Sequence, residues 1–158
     1  MSDDLRPQYV VGLGANLGDR LTTLASAVRA LAHEGVVLRL SSVYETQAVG
    51  PPQPDYLNAA ILLGSTLPPL ELLGALLTIE RAHGRERRER WGPRTLDLDL
   101  LYSPGLELND PVLTLPHPER QRLRSAPRPH RPALSRDDDR RTPTCTRRAA
   151  RLSPSSPR

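Results

Sequence analysis

The sequence predicts an α+β domain with the ferredoxin-like, split β-α-β arrangement, in which an antiparallel sheet carries its helices on one face. Three observations lead to this prediction. Strand and helix patterns follow one another in the order β-α-β-β-α-β along residues 1–117. Glycine, proline or aspartate marks the boundaries between the patterns. Residues 118–158 have a different composition, which predicts a disordered C-terminal tail.

The first strand and the first helix are predicted from short periodic patterns. Residues 8–14 (QYVVGLG) form an apolar run that ends in glycines, which is typical of a strand. Asp19 is expected to cap a helix and Gly35 to end it. The apolar residues between them have helical spacing: Leu21, Leu24, Ala25, Val28 and Leu31.

Two further strands are predicted in the middle of the domain. Residues 36–46 alternate and are rich in β-branched side chains, which indicates a single strand. Residues 47–54 hold three prolines and a glycine and are predicted to form a loop. Residues 56–66 are predicted to form the next strand.

The last helix and strand of the domain flank a charged segment. Pro68 and Pro69 suit the first turn of a helix that continues through residues 70–83. Residues 84–93 are charged and glycine-containing and are predicted to form a loop. Residues 94–102 alternate between polar and apolar side chains, which indicates a strand.

The charge of the chain is divided unevenly between the domain and the tail. Residues 1–117 hold 10 Arg and 14 Asp and Glu, whereas residues 118–158 hold 12 Arg and 4 Asp and Glu. The tail also contains seven prolines, three leucines, no valine or isoleucine and no aromatic residue. Such a segment buries too little apolar surface to offset its ordering entropy. It is either a solvated tail or a nucleic-acid-binding arm; we favour the first because the domain is acidic.

Composition excludes several classes of protein. All 22 basic residues are Arg, so the chain has neither the lysine of a P-loop nor that of a protein kinase. The single cysteine, Cys145, excludes an intrachain disulfide. The polar start does not resemble a signal peptide, and no apolar run reaches the roughly 18 residues of a membrane span. We therefore expect a cytoplasmic protein.

Asp97 and Asp99 form the first candidate functional pair. Residues i and i+2 of a strand point to one face, so both carboxylates face away from the core, on the order of 7 Å apart. Mg²⁺ is commonly held by one or two carboxylates together with substrate phosphates. For a bare Asp-x-Asp pair, a strand with one solvated face would be the better interpretation.

A cluster of arginines next to this pair favours a metal site over a solvated strand face. Five of them lie within ten residues: Arg85, Arg87, Arg88, Arg90 and Arg94. Guanidinium groups bind phosphate oxygens bidentately, and carboxylate-bound metal beside them is what phosphoryl transfer requires. For Arg87, Arg88 and Arg90 individually, local pairing with Glu86 and Glu89 remains the alternative. Spacing alone does not decide whether Trp91 packs in the core or covers a bound nucleotide.

Five ordered segments resemble the hydroxymethyl-dihydropterin pyrophosphokinases. They are residues 11–19 (VGLGANLGD), 42–51 (SVYETQAVGP), 55–60 (DYLNAA), 90–101 (RWGPRTLDLDLL) and 115–117 (LPH). The resemblance covers residues 9–117 and departs at Ala15, where the family usually has Ser. It implies transfer of the β,γ-pyrophosphate of ATP to 6-hydroxymethyl-7,8-dihydropterin in folate biosynthesis, with release of AMP.

The resemblance also implies roles for the residues that would hold ATP. Asp97 and Asp99 would ligate two Mg²⁺ ions, and Arg85 and Arg94 would hold the phosphates. The remaining implied contacts with the nucleotide come from Glu80, Trp91, Leu100, Thr114 and His117. Leu100 and Thr114 would act largely through backbone groups, and Trp91 would help to close the catalytic loop.

For the pterin, the resemblance implies hydrogen bonds from Asn58 and stacking on Tyr56. Backbone groups around Thr46 and Val49 would complete its recognition. Without the resemblance, a half-buried strand tyrosine and a polar strand-end residue would be the preferred interpretations of Tyr56 and Asn58.

The resemblance ends after residue 117, where the family continues with an arginine, a second pterin-stacking aromatic and an apolar strand. Leu123 and Ser125 stand at the aligned positions, so the pyrophosphokinase domain is predicted to be incomplete at its C-terminal end. Our hypothesis is that residues from about 119 onward are out of frame or otherwise replaced.

Three hypotheses about the function follow from these observations, and they are given in order of preference. The first is an active, monomeric pyrophosphokinase. The second is an inactive or poorly folded relative with an incomplete pterin site. The third is a nucleic-acid-binding protein that acts through its tail.

Overall fold

The secondary structure follows the predicted alternation of strands and helices. The computed structural model describes residues 6–48, 50–84 and 95–118 and the backbone of residues 128–129. In chain order its elements are β1 (Gln8–Ala15), α1 (Arg20–Leu31), β2 (Val36–Leu40), β3 (Tyr44–Thr46), β4 (Tyr56–Gly64), α2 (Pro69–Ala82), β5 (Asp97–Tyr102), β6 (Leu108–Asn109), β7 (Thr114–Leu115) and β8 (Arg128–Pro129). The predictions for Val49, Arg85, Trp91, Arg94, Leu123 and Ser125 lie outside the described residues.

Among the described residues, six strands form one antiparallel sheet. Its order is β5-β1-β4-β3-β8, and β2 pairs with β4 beside β3. Because β1 and β2 are each antiparallel to β4, they run parallel to each other with β4 between them. This is the split β-α-β arrangement, and the predicted α+β fold is confirmed.

The core lies between one face of the sheet and the two helices. Register aligns the inward residues of the central strands: Val11 lies opposite both Ile61 and Leu100, and Leu13 lies opposite Leu98. The helices contribute buried residues at helical spacing: Leu24, Ala27 and Leu31 from α1, and Leu72, Leu76 and Ile79 from α2. All of these residues belong to one continuous apolar cluster, so the other face of the sheet is left for polar groups.

Helix α1 begins where the sequence predicts, but its buried stripe is rotated. The Asp19 carboxylate accepts hydrogen bonds from the backbone N–H and the hydroxyl of Thr22. These bonds lower the pKa of Asp19, so the stabilisation from this cap is present at neutral pH and is lost as pH falls through that lowered pKa. Leu21, which is 45% exposed, and Ala25 lie outside the buried stripe, which is a correction to the predicted apolar face.

The single strand predicted over residues 36–46 is broken at Ser41. Pairing with β4 shifts register between Val37 and Arg39, so the strand bends there. The Ser41 hydroxyl then accepts the N–H of Ala60, while the Ser41 N–H donates to the Ala60 carbonyl. A side-chain oxygen thus replaces a backbone acceptor, and pairing resumes at Tyr44.

Two glycines have roles that their positions in the sequence do not reveal. Gly35 does not end α1, which stops at Leu31. Instead, a Cβ at Gly35 would overlap the carbonyl oxygen of Gly64, so glycine is required for close approach of the two backbones. Gly74 lies in the middle of α2, and nothing lies within 4 Å of a Cβ there.

Substitution of these glycines by alanine will therefore have opposite effects on stability. We expect Gly74→Ala to raise the free energy of unfolding by about 0.5–1 kcal/mol, because it removes glycine from a helix interior. Gly35→Ala will lower it by about 1–3 kcal/mol, the cost of overpacking. Urea unfolding of both variants beside the parent chain measures this. Equal effects from the two substitutions would contradict the assigned roles.

The region after β5 contains strands that were not predicted. β6 and β7 form a small hairpin, and the His117 N–H donates to the Leu101 carbonyl at 2.8 Å, which ties the hairpin to β5. β8 pairs with β3, with Pro129 opposite Tyr44 and Arg128 opposite Glu45. The last strand predicted to be missing is thus represented by two residues. Disorder of the rest of 118–158 stays a prediction, as does the domain boundary at 117. Within the described residues, neither helix has the length and apolar character to cross a membrane.

Candidate active site

The face of the sheet opposite the helices carries the residues that the sequence singled out. Gly14 of β1 lies between Asp97 of β5 and Asn58 of β4 in the register. In the next row, Gly12 lies between Asp99 and Ala60. Because adjacent strands are about 4.8 Å apart, the backbones at Asp97 and Asn58 are separated by about 10 Å.

Gly14 forms a floor over which side chains from two neighbouring strands converge. A Cβ at Gly14 would lie 3.1 Å from Asn58 Oδ1, 3.5 Å from Tyr56 Cδ1 and 3.9 Å from the Cβ of Asp97. Any residue other than glycine would therefore contact all three. This places the predicted pterin residues Tyr56 and Asn58 beside the predicted metal ligand Asp97.

The amide of Asn58 is oriented by Thr46. Asn58 Nδ2 donates to Thr46 Oγ1 at 2.6 Å, across the β3–β4 pair. Since the nitrogen is used in this bond, the carbonyl oxygen of the amide is directed toward the space above Gly14. The backbone role predicted for Thr46 is thus joined by a contact of its hydroxyl.

Removal of the Thr46 hydroxyl will loosen this orientation. We expect Thr46→Val, which keeps the shape of the side chain, to weaken pterin binding by about 3- to 10-fold, the worth of one hydrogen bond. Thr46→Ser retains the hydroxyl and is the matched control. Titration calorimetry with the dihydropterin and, separately, with an ATP analogue measures both sites. Equal weakening of both ligands by Thr46→Val would indicate a general structural defect instead.

Buried and bridging polar side chains hold the segment before β4 in place. Asn16 is 1% exposed, and its Nδ2 donates to Gln53 Oε1 at 2.8 Å and to the Pro54 carbonyl at 3.1 Å. Arg20 Nη1 donates to Glu45 Oε1 at 3.0 Å and to the Asp55 carbonyl at 2.7 Å. These contacts fix the chain that enters β4 at Tyr56. No sequence pattern predicts these contacts, although Asn16 lies in a glycine-rich segment.

Asp97 and Asp99 have the character of ligands for a hard cation. Both project from the open face, with Asp97 half-buried and Asp99 exposed. In the part of the chain that the structure describes, no group of three or more His, Cys, Asp or Glu could hold a metal by itself. Two carboxylates fit Mg²⁺, which usually completes its shell with water and substrate phosphates.

A cavity of about 440 Å³ adjoins Asp99. It is lined by Leu73, Asp99, Leu100, Pro111, Val112, Leu113, Thr114, His117 and Pro118. Its size lies within the range of small-molecule sites. Four of the residues predicted from the resemblance meet here: Asp99, Leu100, Thr114 and His117. Because the Leu100 side chain belongs to the core, contact from Leu100 would come from its backbone, as the resemblance implied.

Glu80 is the predicted nucleotide residue that lies apart from this cavity. Its side chain is fully buried, and Oε1 accepts a 2.7 Å hydrogen bond from the backbone N–H of Leu98. It is not among the residues that line the cavity. The described geometry therefore gives Glu80 a contact beneath β5, and the nucleotide contact stays a prediction.

The chain belongs to the 7,8-dihydro-6-hydroxymethylpterin-pyrophosphokinase (HPPK) family, whose model matches residues 10–129. The match extends beyond residue 117, the predicted end of the resemblance, and it includes β8.

Three relatives are named 2-amino-4-hydroxy-6-hydroxymethyldihydropteridine pyrophosphokinase. The protein from Synechocystis sp. is 51% identical over 71% of this chain and 58% of its own length. Those from Pseudomonas putida and Bacillus subtilis are each 44% identical over 68% of this chain, and over 91% and 66% of their own lengths respectively. The chain thus spans little more than half of the Synechocystis relative.

Proposed function

We propose that this chain transfers pyrophosphate from ATP to 6-hydroxymethyl-7,8-dihydropterin, giving AMP and the pterin diphosphate. The observation that carries the proposal is the convergence of two candidate subsites on one face of the sheet. A carboxylate pair beside a cavity lies next to an aromatic side chain and an oriented amide, with Gly14 between them. Family membership supplies the identity of the two substrates.

The reaction requires little covalent work from the protein. The hydroxymethyl oxygen forms a bond to the β-phosphorus of ATP, the bond from that phosphorus to the bridging α,β-oxygen breaks, and AMP leaves with the electron pair. The hydroxyl proton passes to solvent. Catalysis then depends on alignment of the two substrates and neutralisation of phosphate charge.

Asp97 and Asp99 would hold Mg²⁺ that arrives with the ATP phosphates. Two ions, as the family resemblance implies, would supply charge neutralisation at the attacking and leaving oxygens. His117 and Thr114 border the same cavity and would contact the nucleotide. Arg85, Arg94 and Trp91 are assigned to the phosphates and to loop closure from the resemblance alone.

The pterin would lie over Gly14. Asn58 Oδ1 would accept hydrogen bonds from the donor edge of the ring, because Thr46 already engages the amide nitrogen. Tyr56 would contact the ring face, and backbone groups near Thr46 and Val49 would complete the subsite. A monomeric state stays a prediction from the sequence. Location in the cytoplasm likewise stays a prediction.

The test is AMP formation by the full chain from ATP, Mg²⁺ and 6-hydroxymethyl-7,8-dihydropterin, separated by ion-exchange chromatography. We expect AMP and pterin diphosphate in equal amounts, with neither formed when the pterin or Mg²⁺ is omitted. ATP turnover that is independent of the pterin would contradict the proposal. Binding of both ligands without AMP formation would identify an inactive relative instead.

A further inference from the structure

Glu80 occupies an unusual place for a carboxylate. It is 0% exposed near the C-terminal end of α2, on the helix face whose other buried members are Leu72, Leu76 and Ile79. Burial of a charged group is costly unless it is hydrogen-bonded, and an apolar side chain would serve packing alone. The carboxylate must therefore be explained by the contacts that it makes.

Its described contact is with the backbone between the two metal-ligand candidates. Glu80 Oε1 accepts the N–H of Leu98, at 2.7 Å, and Leu98 is the residue between Asp97 and Asp99. On its other side β5 pairs with β1, and no described strand lies on the Leu98 N–H side. The side chain of α2 thus takes the place that a neighbouring strand would have at this edge.

This bond constrains the directions of both carboxylates. The peptide unit that joins Asp97 to Leu98 is planar, so a hydrogen bond to its N–H restrains the orientation of the whole unit and, through it, the torsions on either side. The opposite side of the strand is held by its pairing with β1, in which Asp97 lies opposite Gly14 and Asp99 opposite Gly12. Without Glu80, β5 would be held only by its pairing with β1 at Leu98, the residue that separates the two candidate metal ligands.

We propose that Glu80 is a positioning residue, which sets the geometry of Asp97 and Asp99 for metal through the Leu98 N–H. The inference rests on the proposed function, because it assumes that these carboxylates ligate Mg²⁺. The role is separate from the nucleotide contact predicted for Glu80, since its carboxylate is buried and is not among the residues that line the cavity.

Two conservative variants distinguish the position of the Glu80 acceptor oxygen from the charge of the carboxylate. Glu80→Gln keeps an oxygen at the same distance from Leu98 N and loses the charge. Glu80→Asp keeps the charge but is one methylene shorter, so it withdraws the acceptor. Mg²⁺ is titrated into each full-length protein in the presence of a non-hydrolysable ATP analogue, and binding is measured by calorimetry. The temperature is one at which circular dichroism shows that the variant is folded.

We expect Glu80→Asp to raise the half-saturating Mg²⁺ concentration by about 10-fold or more, the usual effect of losing an outer-shell partner, and Glu80→Gln to stay within about 3-fold of the parent. Parent-like Mg²⁺ binding by Glu80→Asp, or equal losses in both variants, would overturn the inference while leaving the proposed function intact. Absence of metal-dependent binding in the parent chain would instead overturn the metal assignment and this inference with it.

Hydrogen exchange in the parent chain gives a measurement that does not depend on the folding of a variant. The Leu98 amide should exchange as slowly as core strand amides, although it lies on an unpaired edge of the described sheet. Exchange at the rate of an exposed edge amide would show that the bond from Glu80 does not hold the strand, and would overturn the inference.

Discussion

Asp97→Ala will reduce pterin-dependent AMP formation by about 100- to 1,000-fold or more. Loss of one group that stabilises developing charge in a closed site commonly costs this much, and loss of a metal ligand also removes the ion that neutralises the phosphates. Asp97 is half-buried and projects from the face that carries Asn58 and Tyr56, and its Cβ lies beside these two side chains at Gly14.

The matched control is Glu107→Ala, which removes an exposed carboxylate from the connection between β5 and β6. It should leave AMP formation within about 2-fold of the parent, as is usual for a surface substitution away from special features. Both proteins are assayed over a range of Mg²⁺ concentrations. Parent-like activity of Asp97→Ala at low Mg²⁺ would mean that the metal is held elsewhere.

Gly14→Val will abolish pterin binding while the ATP analogue still binds. A Cβ at this position already lies 3.1 Å from Asn58 Oδ1, and the two methyl groups of valine would occupy the space between Asn58, Tyr56 and Asp97. Valine suits a strand, so the substitution should leave β1 paired.

Gly14→Ala provides a graded comparison, because its single carbon requires Asn58 to move by only a few tenths of an ångström. We expect a loss of pterin affinity that is several-fold and much smaller than that of valine. The two affinities are measured by calorimetry beside that of the ATP analogue. If Gly14→Val bound the pterin as the parent does, the pterin subsite could not lie above β1.

Periodicity in the sequence was sufficient to predict the elements that build the core. An apolar run predicted β1, helical spacing predicted α1, two prolines predicted the start of α2 and alternation predicted β5; the structure contains each of these and the predicted β4. The convergence of Asp97 with Tyr56 and Asn58 depends on the order of strands in the sheet. It was reached through the family resemblance, because residues so distant in sequence give no local signal of contact.

The missed features depend on tertiary contacts. The break at Ser41 arises because a hydroxyl substitutes for a backbone acceptor of Ala60, and Gly35 is required by the backbone of Gly64 rather than by its own helix. Burial of Glu80 depends on the edge of β5 lying against α2. Short strands such as β6, β7 and β8 have two residues each, which is too few for a periodic pattern.

The alternation of buried and exposed residues along β5 determines how this chain tolerates insertions. In β5 the core leucines, Leu98 and Leu100, alternate with the two aspartates. A slip of β5 by one residue against β1 would turn both carboxylates into the apolar layer and both leucines toward the substrates. Burial of the leucines therefore keeps the aspartates on the open face, so insertion of a single residue within β5 should be far more damaging than the same insertion in the turn after it.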